Sequence, residues 1–256
     1  MLGSMSINDR EMIPVSDEDL FKQPPPPMGD CPICFLRMPS LYTGYKHNAC
    51  CGKVLCNGCI CANAKLTDDE KCAFCRTPAP ESDEELIIRL MKRIEVNDAQ
   101  AIYNLGCGYD QGTYGCPKNH DKALELWHRA GELGYMKAYN NIGNSYYNGR
   151  RVEKDEKKAI YYWELAAMGG HVTARYNLGV EEYRAGNMDR ALKHWTIAAE
   201  GGHKKSLISV KQLYALGHAT KDDYGTALRA HQSYLDEIRS VQRDEAAEYS
   251  GDWEYY

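Results

Sequence analysis

The sequence predicts two unlike parts: a small metal-braced module, then an all-α solenoid of helix-pair repeats. Three observations predict this. Nine of the 11 cysteines fall between Cys31 and Cys75, in a segment with few large apolar side chains. Beyond residue 98 the chain repeats itself at intervals close to 36 residues. The 256 residues are 43% hydrophobic and 26% charged, a globular composition long enough to hold both parts.

Composition also excludes several function classes. Net charge is -5 and no cluster of five or more Lys/Arg occurs, which opposes nucleic-acid binding. No run of 18 apolar residues offers a membrane span. The start of the chain is polar and acidic and has no signal-peptide pattern. The expectation is therefore a cytoplasmic or nuclear protein whose thiols bind metal rather than pair. No glycine-rich phosphate loop, G-x-S-x-G or H-E-x-x-H motif supports classical hydrolase or kinase chemistry.

Residues 1–30 read as a disordered leader ending in the extended run Pro24 to Pro27. Residues 31–76 hold the cysteine pairs Cys31/Cys34, Cys50/Cys51, Cys56/Cys59 and Cys72/Cys75. Eight thiolates can close two tetrahedral sites, and Zn²⁺ is the expected ion for all-sulfur ligation. In so small a core metal binding supplies much of the folding energy, about 10–16 kcal/mol for structural zinc in peptides. His47 is an alternative ligand to Cys50, although it reads more simply as a solvated loop residue. Cys61 reads as a small buried hydrophobe. Spacing permits either an interleaved or a sequential pairing of the four pairs.

The order CPIC, CCGKVLCNGC, CAFCR resembles a RING finger of the all-cysteine kind, a small α+β cross-brace module. The family's usual histidine position is Lys53 here. The resemblance implies that Cys31, Cys34, Cys56 and Cys59 hold one zinc ion, and that Cys50, Cys51, Cys72 and Cys75 hold a second. It further implies a ubiquitin ligase that docks a ubiquitin-conjugating enzyme, with Ile33 and Arg76 as docking residues and no covalent catalytic residue. A planar guanidinium at residue 76 suits a bridging contact better than an ammonium would. The alternative is a non-catalytic zinc-binding scaffold for complex assembly.

Residues 77–97 read as a linker and capping helix. The prolines of TPAPESDEE stop any preceding helix, Ser82 or Asp83 caps a new one, and Leu86, Leu90 and Ile94 follow at helical spacing. Residues 98–248 read as the solenoid, with repeats about 98–135, 136–171, 172–203 and 204–240. In each first helix a small residue (Ala101, Ala138, Ala174, Ser206) stands four before a branched apolar one. In each second helix Ala123, Ala159, Ala191 or Ala227 stands four before Trp127, Trp163, Trp195 or His231. Asn119, Asp155, Asn187 and Asp223 sit where N-caps belong, and glycines follow each of the first three second helices. Two helical patterns in a repeat of this length indicate an α-solenoid.

These blocks resemble the Sel-one-like subfamily of tetratricopeptide-type repeats. The resemblance implies a surface that recruits a protein substrate or adaptor. Asn104, Asn141 and Asn177 recur at one place and are candidate partner-binding positions, with bonding between adjacent repeats as the simpler role. The helix near 83–95 is expected to cover the front of the stack, a helix near 221–248 the back, and residues 249–256 to form a tail.

Overall fold

A computed structural model describes residues 12–22, 29–40, 44–67 and 70–250. Most of the expected leader and all but Tyr249 and Ser250 of the expected tail lie outside these described residues.

Helix α1 is short, Asp17–Phe21. The cysteine-rich module follows, with strands β1 (Tyr45–Asn48) and β2 (Lys53–Cys56) paired antiparallel and helix α2 (Asn57–Thr67) after them. Helix α3 (Asp83–Glu95) leads into the solenoid; Ser82 caps it by accepting the Glu85 N–H, as expected. Helix pairs then stack in order: α4 (Ala99–Gln111) with α5 (His120–Glu132), and α6 (Met136–Asn148) with α7 (Glu156–Met168). After them come α8 (Val172–Arg184) with α9 (Met188–Glu200), and α10 (Lys204–Ala215) with α11 (Lys221–Ile238). Helix α12 (Val241–Ser250) is the last element among the described residues. Among the described residues no helix is long and apolar enough to cross a membrane.

The solenoid core is built from one recurring contact. Ala101, Ala138, Ala174 and Ser206 are fully buried, as are Ala123, Ala159, Ala191 and Ala227, so neighbouring helices approach closely. The tryptophans need still more room. A Cβ on Gly106 would lie 2.8 Å from Trp127 Cδ1, and one on Gly143 would lie 2.6 Å from Trp163 Cδ1; Gly179 faces Trp195 in the same way. The fourth pair has Lys211 in place of the glycine and His231 in place of the tryptophan, so both members of the contact change together. His231 is buried and its Nδ1–H donates to the Ala199 carbonyl at 2.9 Å.

Capping departs from the sequence reading at α9 and α11. Asn119 and Asp155 cap α5 and α7 through their side chains, whereas Asn187 makes no side-chain cap bond. Asp223 is not an N-cap. Thr220 is, and Asp223 completes a reciprocal capping box with it, which satisfies two helix-terminal donors instead of one. The imidazoles of His171 and His203 cap α8 and α10, accepting the Ala174 and Ser206 N–H groups.

Two larger expectations also change. Part of the leader is ordered: Leu20 is buried against Trp163 and Leu178, and the Arg175 Nη1 donates to the Leu20 carbonyl at 2.7 Å. Asp17 pairs with Arg190 at 2.5 Å, and the Phe21 ring lies tilted against His194 with centroids 4.7 Å apart. A buried guanidinium needs acceptors, and this segment provides one. The back of the stack is not one helix over 221–248 but two. The chain turns extended at Arg239, and α12 folds back onto α2 of the cysteine module.

Candidate metal centres

The hairpin determines which cysteines can meet. Cys50 and Cys51 lie in its turn, where Gly52 takes the left-handed conformation (φ 70°), and Cys56 ends β2 at the far end. A four-residue strand spans about 13 Å, so the turn and the root of one hairpin cannot share an ion. The remaining two pairs form matching knuckles. Cys31 N–H donates to the Leu36 carbonyl and Phe35 N–H to the Cys31 carbonyl; Cys72 N–H donates to Thr77 and Arg76 N–H to Cys72 in the same pattern. Phe35 and Arg76 are left-handed at φ 57° and 61°, equivalent positions in the two knuckles.

Cys31, Cys34, Cys56 and Cys59 converge in one group, and Cys50, Cys51, Cys72 and Cys75 in another, all Sγ atoms of a group lying within 4.8 Å of one another. Of the two pairings the spacing permits, the structure has the interleaved one. The Sγ–Sγ separations are 3.9 Å for Cys31–Cys59, 3.8 Å for Cys34–Cys56, 4.0 Å for Cys51–Cys72 and 3.4 Å for Cys50–Cys75. Disulfide sulfurs stand about 2.05 Å apart, and all the cysteines are free. A tetrahedron with Zn–S bonds of about 2.3 Å has edges of about 3.8 Å. The donor set and its size fit such an ion.

Without a cation the thiols oppose one another. Hydrogen bonding from Cys56 draws the Cys31 thiol down to about 4, while that same contact, with burial, pushes Cys56 far up. Burial lifts Cys59 to about 12. In the second group burial raises Cys50 and Cys51, whereas at Cys75 it is outweighed by hydrogen bonds from Thr77, which bring that thiol to about 6. In each group one thiol is drawn down while others, Cys56 and Cys59 or Cys50 and Cys51, are pushed up. A divalent ion at the centre removes that opposition and releases the protons.

His47 belongs to neither group and is not a solvated loop residue. Its side chain is 2% exposed on β1, with Nε2 3.1 Å from Asp98 Oδ2 and Nδ1 3.5 Å from Asn104 Nδ2. A carboxylate accepts, so Nε2 carries the proton. Asp98 also accepts from Arg93 Nε at 3.0 Å and caps α4, and the pair locks the module onto the front of the solenoid. A second lock lies at the back, where Ser40 bonds Tyr234 and the Gly201 carbonyl, and Arg37 pairs with Glu237. Lys53 sits over the Phe74 ring, and Cys61, Cys107 and Cys116 are half-buried outside both groups.

Ile33 and Arg76 are both exposed, and the Arg76 Nη1 donates to Asn63 Oδ1 at 2.8 Å. The sequence reading missed three further exposed apolar side chains of this module, Phe35, Leu66 and Phe74. Of the asparagines, Asn141 donates to Tyr103 Oη in the preceding helix pair, and Asn104 faces His47; Asn177 is half-buried at the equivalent place. A cavity of about 760 Å³ lies between the module, α3 and α4, lined by Tyr45, Lys46, Tyr103, Tyr135 and Lys137 among others.

The Sel1 repeat family model matches residues 99–135, 137–171 and 172–203. Over 129 residues, half of this chain, the sequence is 30% identical to the ERAD-associated E3 ubiquitin-protein ligase component HRD3B of Arabidopsis thaliana, of which the match spans 20%. A Sel1 repeat protein from Oxalobacter formigenes superposes with a TM-score of 0.51 at 29% identity, covering 60% of this chain and 64% of that one. A protective antigen of uropathogenic Escherichia coli with an SLR fold matches at a TM-score of 0.46 and 20% identity, over 70% of this chain and 45% of its own. The chain thus spans a fifth of the curated relative and under two thirds of the first of these solved structures. Helices α4 to α9 are three Sel1 repeats.

Proposed function

We propose that this protein is a zinc-binding component of the ubiquitin pathway, in which the cysteine module docks a ubiquitin-conjugating enzyme and the repeats hold a protein substrate or adaptor. The observation that carries the reading is the pair of interleaved cysteine groups, each with Sγ edges of zinc–thiolate size, in a module that leaves Ile33 and Arg76 exposed. The relative that is 30% identical over 129 residues is named as a component of an E3 ubiquitin-protein ligase.

Cys31, Cys34, Cys56 and Cys59 would hold one ion, and Cys50, Cys51, Cys72 and Cys75 the other. Ions closed by four sulfurs supply folding energy to a module with little apolar core. The chain's own side chains do the rest. Ile33 offers an apolar anchor, and Arg76 offers a fork of donors to bridge ubiquitin and its carrier. Its left-handed backbone and the Asn63 bond fix the direction of that fork. No residue of the chain attacks the ubiquitin thioester. Rate enhancement comes from holding the loaded carrier and an acceptor lysine in a reactive arrangement. The repeats bring the acceptor-bearing protein, since stacked helix pairs present an extended binding face.

The test is ubiquitin transfer by the full-length, metal-loaded chain with a broad panel of conjugating enzymes. Ile33→Ala should lower transfer about tenfold, the effect of truncating an apolar anchor worth 1–2 kcal/mol, with the metal content unchanged. Folded, two-metal wild-type protein that stays silent across the panel overturns the ligase reading and leaves the scaffold.

A further inference from the structure

Helix α12 lies against α2, the helix whose first turn carries Cys59. Gly58 makes the close approach: a Cβ there would meet Arg243 Cγ at 2.9 Å and the backbone of Gln242 and Arg243 at 3.0 Å. Arg243 is 2% exposed. Its Nη1 donates to the carbonyls of Arg37 at 2.8 Å and Ile238 at 2.6 Å, and its Nη2 to that of Leu36 at 3.3 Å. Nη2 also stands 4.0 Å from Cys34 Sγ, and the guanidinium faces Cys56. Among the described residues no carboxylate pairs with it.

A buried guanidinium without an anionic partner is costly. The guanidinium instead faces Cys34 and Cys56 of the first cysteine group. Four thiolates around a divalent ion leave an excess of two negative charges, and Arg243 is the buried cation that faces them. Among the described residues no fully buried arginine faces the second group: the other one, Arg175, bonds the Leu20 and Ala167 carbonyls, and the Arg93 guanidinium against Gly52 is partly exposed and paired with Asp98. The Leu36 and Arg37 carbonyls that Arg243 grips follow the first knuckle directly, so its position also fixes the loop after Cys34.

We propose that Arg243 is a positioning residue for the first metal site, and that α12 is a clamp that raises the metal affinity of Cys31, Cys34, Cys56 and Cys59 without acting on the other group. This rests on the metal-binding reading above. The clamp joins residues more than 200 positions apart, so metal retention in the cysteine module depends on α12.

The test uses the full-length chain loaded with Co²⁺, whose thiolate charge-transfer absorption reports tetrahedral sulfur ligation, titrated against a chelator. Cys34→Ser and Cys75→Ser assign each transition to its group. Arg243→Met should weaken the first site about 10- to 100-fold, the usual effect of losing an outer-sphere partner, and leave the second within twofold. Gly58→Ala, which favours α2 but blocks the approach of α12, should weaken the same site in a chain that keeps Arg243. Arg243→Lys should restore part of the loss. Unchanged affinity at the first group, or equal losses at both, overturns the clamp while two Co²⁺ ions per wild-type chain still support the metal reading. Fewer than two ions in folded wild type overturns both.

Discussion

Gly143→Ala and Gly225→Ala are the same chemical change in two helices of one solenoid, and the packing around each glycine gives them opposite signs. In a helix interior alanine is favoured over glycine by about 1 kcal/mol. At Gly225 that gain stands almost alone, because the nearest atom to the new methyl is Arg229 Nη1 at 3.2 Å, the far end of a flexible side chain whose exposed bond to Thr226 Oγ1 is easily given up. At Gly143 the methyl would stand 2.6 Å from Trp163 Cδ1 and 2.7 Å from its Nε1. That ring cannot retreat: Trp163 is 3% exposed and its Nε1 donates to Asn144 Oδ1 at 3.1 Å. Overpacking of this kind costs about 1–3 kcal/mol. Taking the upper part of that range for a pinned ring, Gly143→Ala should lose about 2 kcal/mol net, and Gly225→Ala should gain up to about 1 kcal/mol. Urea unfolding followed by tryptophan fluorescence should separate the two midpoints by about 1–3 M, given slopes of about 1–3 kcal/mol/M. Coincident midpoints, or stabilisation by both changes, would refute the argument that the tryptophan contact requires the glycine.

Acid should weaken the solenoid through its buried imidazoles. Burial holds His171 and His194 down to about 3 and His203 to about 4, so all three are neutral in the fold. The unfolded chain takes their protons first, near 6.5. Their contribution is therefore complete above that pH and is lost as pH falls toward 3–4, at up to about 4 kcal/mol per unit for three protons. His171→Asn keeps a capping acceptor without the proton and should reduce the slope by about a third; an unchanged slope would contradict this. Leu20→Ala should release residues 12–22 at about 2–4 kcal/mol of local stability, seen as faster hydrogen exchange there with little change in α10 and α11. Equal protection in both proteins would show that the segment is held by other contacts.

What was legible in the sequence was whatever repeats or pairs locally. The recurrence of small residues, tryptophans and caps locates α4 to α9, because each mark repeats in register. The four cysteine pairs foretell two four-thiol sites, whereas the interleaved grouping follows from the resemblance alone, since the spacing allows a sequential pairing equally. Contacts made once, between single polar residues far apart, leave no periodic trace. Arg243 reads as an ordinary charge on an acidic helix until α12 is seen against α2. His47 looks like a loop residue until Asp98 and Arg93 arrive from the solenoid side. Leu20 stands in a polar segment with no amphipathic run to announce it. Asp223 was misplaced by three residues because a capping box and a simple N-cap use the same side-chain types, and Thr220 is the residue that decides between them.

Zinc content of the purified full-length chain, measured by elemental analysis together with hydrogen exchange across residues 29–76, tests the central claim most directly. Two equivalents per chain are predicted, one in either Cys34→Ser or Cys75→Ser, and chelation should expose the module's amides while the solenoid tryptophans keep their signal. Fewer than two equivalents in fully folded protein, or a module that stays protected after exhaustive chelation, would contradict it.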